Sequence, residues 1–143
     1  VFNQDLSTWD TRKVTTFKNM FNGAAVFNQD ISSWDVSNVN DFWYMFAGCK
    51  KFNQPLDSWN PESGTVFNSM FYACHAFNQP IGSWNTKSAV DMDYIFYQTT
   101  SFNQDISQWC VDNPSHVMWN YQCPITAVNS PVWGTCPRGE DQA

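Results

Sequence analysis

Two histidines, five cysteines and a scatter of aspartates are the residues of this 143-residue chain equipped to bind a metal, attack a substrate or move a proton. His75 and His116 have no serine or cysteine motif near them that fixes a nucleophile, so the nucleophile–base–carboxylate arrangement of acyl transfer has nothing to build on. Asp41, Asp91 and Asp93 are mostly single-repeat variants, and paired carboxylates for glycoside hydrolysis would need a cleft to hold them. No CxxC or Cys/His quartet suggests zinc. Calcium is the one metal candidate, because Asp5 with Asp30 and Asp10 with Asp35 would bring carboxylates together in pairs, although no EF-hand loop is present. The expectation is a chain without cofactor and without catalysis.

What must position these residues is a repeat. Phe2, Phe27, Phe52, Phe77 and Phe102 are each followed by Asn (Asn3, Asn28, Asn53, Asn78, Asn103) and then Gln (Gln4, Gln29, Gln54, Gln79, Gln104), and seven places after each Phe stands Trp9, Trp34, Trp59, Trp84 or Trp109. The period is 25 residues without insertion or deletion, giving four full repeats over 1–100 and the start of a fifth over 101–109. A second apolar cluster, Phe17-Met20-Phe21 in the first unit, recurs as Phe42-Met45-Phe46, Phe67-Met70-Phe71 and Met92-Ile95-Phe96. Its offsets of 0, 3 and 4 are helical spacing, whereas the FNQDI segment is too short for a helix and reads as an extended rung.

An extended rung and a compact helical return predict a leucine-rich-repeat-like solenoid, with short parallel β rungs, short α or 3-10 returns and identical residues stacked in columns. The Phe and Ile/Leu columns line the interior, and the Trp column packs inward. The Asn column hydrogen-bonds the backbone of its own and the adjacent coil. Cys49 and Cys74 occupy one place in successive coils, about 5 Å apart at Cα and within disulfide range, so a bridge between them is predicted. Residues 110–143 lose the period and are expected to cap the last coil. Beside the buried Ile/Leu of each rung, Asp5, Ser7, Asp30, Ser32, Asp57, Asp105 and Ser107 form an exposed ladder and are the candidate binding residues.

Composition narrows the partners. Seven Lys plus Arg against thirteen Asp plus Glu leave a charge of -6, which lacks the basic footprint that holds a phosphate backbone. No apolar run is long enough to span a bilayer, so no membrane insertion is expected within this segment. Twelve Phe, eight Trp and five Tyr stand against only Leu6 and Leu56, so rings rather than aliphatic chains fill the interior. The chain opens in mid-pattern without Met, and is read as a mature product or a piece of something longer.

The stretch FNQDISSWDVSNV at residues 27–39, with Met45, Phe46, Gly48 and Cys49 after it, closely resembles the repeat of BspA-type leucine-rich repeat surface proteins. The resemblance covers 1–109, and Trp109-Cys110-Val111 with Trp133-Gly134-Thr135-Cys136-Pro137 is similar to the segment that closes many members. Departures occur at Pro55 and Pro80, which replace the Asp of other units, and at Asn60-Pro61-Glu62-Ser63-Gly64. The resemblance implies a Cys110 to Cys136 disulfide and an extracellular, surface-displayed chain linked to adhesion. Two pairs and an odd Cys123 suit an oxidising compartment. The expected function is therefore a non-enzymatic module binding a protein or glycan at a cell surface. A second reading is self-association into a filament, appendage or virion fibre, and a third is a glycan-active enzyme.

Overall fold

The fold is described from a computed structural model, which describes residues 2–138; Val1 and the last five residues of the expected capping segment, Gly139 to Ala143, lie outside it. Successive 25-residue units lie one above the next in register. Phe27, Phe52, Phe77 and Phe102 form one column with ring centroids 5.8, 6.0 and 5.8 Å apart and planes within 8° of parallel. Between this column and the Trp column runs a third, Phe21-Phe46-Phe71-Phe96, whose rings lie 4.1 to 4.3 Å from the Phe that opens the next unit. Leu6, Ile31, Leu56, Ile81 and Ile106 complete a continuous buried core. Burying this much ring surface is the main favourable term in the stack.

The backbone that carries these columns corrects the expected fold. There is no sheet of β rungs: the described residues contain only four isolated parallel bridges, linking Thr16, Asp41, Val66, Asp91 and Ser115. Nor are there helical returns, since the single helix among the described residues is the 3-10 turn Ala127–Asn129, far from the predicted clusters. The leucine-rich-repeat-like solenoid of rungs and helices is therefore replaced by a stack of coils built from turns.

Both corrections have a physical cause. In the FNQDI segment a side chain intercepts the backbone group that a strand would pair. The Asn28 N–H donates to Asn3 Oδ1 at 2.9 Å, and the same bond recurs from Asn53 to Asn28, Asn78 to Asn53 and Asn103 to Asn78 at 2.9 to 3.0 Å. Gln29 Nε2 takes the Asn3 carbonyl as well as Oδ1, and Gln54, Gln79 and Gln104 repeat this. Pro55 and Pro80 have no N–H to offer a ladder.

In the second cluster, offsets of 3 and 4 arise from successive β-turns. Met20 N–H bonds the Phe17 carbonyl and Ala24 N–H the Phe21 carbonyl, three residues back in each case, and the third residue of each turn has positive φ: 62° at Asn19 and 81° at Gly23. That is the signature of type II turns and is incompatible with an α-helix. The alternate amides of Phe17, Asn19, Phe21 and Gly23 are thereby freed to donate to Asp41, Trp43, Met45 and Ala47 of the next unit. Among the described residues no buried side-chain nitrogen or oxygen lacks a partner, as a stable interior requires.

The Trp column is buried at Trp34, Trp59, Trp84 and Trp109, while Trp9, in the first described coil, is 52% exposed. Each buried indole N–H donates to a carbonyl of the preceding unit: Leu6, Ile31, Leu56 and Ile81, at 2.9 to 3.1 Å. The predicted bridge between Cys49 and Cys74 is absent, and both are free and buried. The Cys49 thiol donates to the Phe21 carbonyl at 3.0 Å and the Cys74 thiol to the Phe46 carbonyl at 2.8 Å, each a bond to the unit before. Thr99, one unit on, makes the same bond to Phe71 at 2.8 Å with a hydroxyl. Sharing a column thus gives the two sulfurs parallel tasks and separate partners.

Residues 110–138 lose the sequence period yet continue the stack. Met92, Tyr94, Phe96 and Gln98 donate to Ser115, Val117, Trp119 and Tyr121, the same alternate-amide pattern as below. Cys110 and Cys136 are joined by a disulfide. Trp133 lies parallel to His116 at 4.2 Å and edge-on to Trp119 at 5.3 Å, so rings of the closing segment pack on one another above the repeats.

Candidate functional site

On the turn flank of the stack, backbone amides make the inter-unit bonds. Two columns there change identity from coil to coil: Asn19, Tyr44, Ser69, Tyr94 and Met118 in one, Asn22, Ala47, Tyr72, Tyr97 and Tyr121 in the other. The second holds a run of parallel phenols, with Tyr72 on Tyr97 at 4.7 Å and 7°, and Tyr97 on Tyr121 at 4.9 Å and 28°. In the first, Ser69 stands between Tyr44 and Tyr94, and the small side chain opens a depression of about 450 Å³ lined by Tyr44, Ser69, Tyr72, Tyr94, Tyr97 and Met118. This volume falls in the ~300–1,000 Å³ range of small-ligand sites.

No lining side chain carries a formal charge, although the chain as a whole is at -6. Burial raises the Tyr97 phenol pKa first, and the neighbouring Tyr72, Tyr121 and Tyr94 phenols add to it, so the group stays neutral. Tyr44 and Tyr94 stand apart from the parallel run, inclined 37° to Tyr72 and 70° to Tyr97 respectively. Both occupy the left-handed corner, with φ of 55° and 58°. A bulky side chain is disfavoured there by roughly 1–2 kcal/mol, whereas Asn19 in the first unit suits the same corner. Beside the depression, the Lys18 ammonium sits 4.9 Å from the Trp43 ring, which is edge-on to Tyr44.

The ladder singled out from sequence lies elsewhere, on the FNQDI side of the coil. Asp5, Ser7, Asp30, Asp57 and Asp105 are exposed, while Ser32 and Ser107 are half-buried. Asp5, Asp30 and Asp105 accept the N–H of Ser7, Ser32 and Ser107, two residues on, at 2.9 Å. The Ser7 N–H, followed by its hydroxyl, holds the Asp5 carboxyl below the usual range; at Asp30 and Asp105 the serine hydroxyl comes first and the N–H second. These carboxylates are thus engaged in closing local turns. Asp10, paired with Arg12 at 2.8 Å, and Asp35, which accepts the Ser37 N–H and hydroxyl, behave alike. Among the described residues no three His, Cys, Asp or Glu side chains converge as a metal-holding group. His75 is exposed, and His116 is engaged with Trp133.

None of the cavity residues was singled out from sequence. The signal lay in the columns that break the repeat: tyrosines recur there at offsets of 25, as Tyr72 and Tyr97 do, without filling every coil.

Stacked, turn-built coils with a continuous aromatic interior define a tandem-repeat protein. Residues 1–109 match the family described as Mycoplasma protein of unknown function, DUF285, and the chain belongs to that family. No curated protein and no solved structure matches it. No helix among the described residues is long and apolar enough to cross a membrane.

Proposed function

We propose that this chain is a non-enzymatic binding module, displayed outside the cell, that holds a ligand against its tyrosine-lined turn flank. The resemblance to BspA-type surface proteins and the Cys110–Cys136 disulfide favour an extracellular setting and a role in adhesion. The observation that carries the reading is the placement of Tyr44 and Tyr94 in left-handed corners at the rim of the depression. Left-handed φ recurs along this flank, at Ala73, Gln98 and Gln122 as well, so what favours a site is that bulky rings stand in the two corners at the rim where the first unit has the relaxed residue, Asn19. Tyrosine also suits the task, because a rigid amphipathic ring supplies contact area at low entropic cost.

The test uses the full chain coupled in many copies to fluorescent beads, since multivalent display raises weak binding into a measurable range. Wild-type beads are expected to adhere to cultured epithelial cells, and beads carrying Tyr44→Asn/Tyr94→Asn are expected to lose that adhesion. The substitution copies the first unit, so the fold is retained and a melting curve verifies it. Failure of the wild-type beads to adhere, or equal adhesion of both kinds, would overturn the reading.

A further inference from the structure

We infer that the depression at Ser69 is a subsite for an uncharged sugar ring of a glycan, an inference that rests on the binding reading above and names its ligand class. Three features converge. The first is chemical: Tyr44, Tyr72, Tyr94 and Tyr97 each bring a hydroxyl that both donates and accepts, the buried Ser69 hydroxyl donates to Asn68 Oδ1 at 2.7 Å, and none of the lining residues is ionic. Such a wall matches alternating donor and acceptor hydroxyls of a neutral sugar. Its lining holds no cation for a sialate, sulfate or phosphate and no anion for an amine, and the neighbouring Lys18 ammonium is engaged over the Trp43 ring.

The second is the division of labour among the rings. In the parallel run, Tyr97 is covered on both faces by Tyr72 and Tyr121 and presents only its edge and hydroxyl outward. Tyr44 and Tyr94 are in no parallel stack among the described residues, since their ring contacts are edge-on to Trp43 and Tyr97 or tilted at 37° against Tyr72. Both rings are half-exposed at the rim of the depression, and neither is sandwiched between parallel rings. A pyranose has an apolar C–H face and a rim of hydroxyls, so it needs an aromatic ring beside a line of hydrogen-bonding groups, and both are here.

The third is the origin of the cavity. It exists because Ser69 stands where the coils on either side carry Tyr, and Ser69 keeps the left-handed φ of 57° that its neighbours have. The buried Ser69 forms its floor, and Tyr44 and Tyr94 bound it along the stack. A sugar ring would rest over Ser69, with further sugars running along the Tyr72-Tyr97-Tyr121 edge. A bulky residue at position 69 would fill the depression at the loss of the bond to Asn68, and a melting curve checks that the coils are retained.

The experiment is a glycan array probed with the multivalent full chain, its Tyr44→Asn/Tyr94→Asn variant and a Ser69→Tyr variant that refills the gap. Alongside it, adhesion of wild-type beads to epithelial cells is compared before and after mild periodate oxidation of the cell-surface sugars. Expected are signals on neutral oligosaccharides of glucose, galactose or N-acetylglucosamine, at least tenfold weaker for both variants, and cell adhesion lost after periodate. Adhesion that survives periodate, with no array signal, overturns the sugar inference and leaves a protein partner for the same flank. Signals confined to sialylated or sulfated glycans, or unchanged in Ser69→Tyr, also overturn it. Absence of adhesion and of array signal removes the binding reading together with this one.

Discussion

The two flanks of each coil solve one problem in opposite ways. On the FNQDI flank, side chains make the bonds between units: Asn53 Oδ1 accepts both the Asn78 N–H and Gln79 Nε2 at 3.0 and 3.1 Å, so that identity cannot drift without losing a bond. On the turn flank the backbone makes them, through alternate amides such as Phe42 to Val66 and Phe46 to Met70, each 2.9 Å. The bonds between units do not depend on side-chain identity in two columns there, which read Asn, Tyr, Ser, Tyr, Met and Asn, Ala, Tyr, Tyr, Tyr. A repeat protein can place a site where its backbone does the pairing. It must stay uniform where its side chains do.

Five substitutions and one change of pH sharpen or break that contrast. The largest effect is expected from Trp59→Ala, which removes a buried ring and its bond to the Ile31 carbonyl; a loss of ~3–5 kcal/mol in denaturant unfolding is expected, and a loss under 1 would show that the interior columns do not carry the stack. Asn53→Ala should cost about 1–2 kcal/mol, because it leaves the Asn78 N–H without its acceptor and the Gln79 amide with the Asn53 carbonyl alone. Asn53→Asp, which keeps that acceptor, should recover most of the loss. An equal loss in both would assign the column's uniformity to something other than the bond.

Alkaline pH probes the buried thiols. Burial pushes Cys49 up to about 12, Cys123 up to about 11 and Cys74 well above its ordinary value. Because these folded-state values lie above the unfolded value of ~8.5, the stability they represent is intact below that pH and drains away as pH rises through 11 to 12. Melting temperature should therefore hold to about pH 8.5 and fall beyond it. Cys74→Ser, which retains a donor for the Phe46 carbonyl, should lessen the fall. The smallest effect belongs to the turn flank: Ala73→Gly relieves a left-handed alanine at φ 57° and should stabilise by roughly 0.5–1 kcal/mol, since Gly23 and Gly48 already hold that corner. Destabilisation would mean that the corner is not where strain resides.

Much of this was legible in the residues and some was hidden for identifiable reasons. The 25-residue count and the aromatic columns followed from Phe, Asn and Trp at fixed places. The backbone did not, because Phe17, Met20 and Phe21 have the same spacing in a helix and in successive turns. Gly23 and Gly48, four residues after the corners at Asn19 and Tyr44, were the clue that the chain turns repeatedly through left-handed positions. Likewise Cys49 and Cys74 fall in one column, but the column repeats the hydrogen bond to the coil before, as Thr99 shows without sulfur. The candidate ladder from Asp5 to Ser107 drew attention to the side that recurs. The tyrosine depression lies on the side that does not, and uniformity is a poor guide to a recognition surface.

Vertical bonding through Asn and Gln also governs how such a protein tolerates change in length. One residue added near Ser58 would lengthen that one coil and pull Asn78 away from Asn53, while the later Asn78 and Asn103 would keep their spacing. A duplicated block of 25 would restore each contact after a single splice. Within the repeats, growth and shrinkage are therefore favoured in whole storeys, while the last coil, where Asp91 meets Ser115 one residue early, shows that the closing segment absorbs a single-residue step.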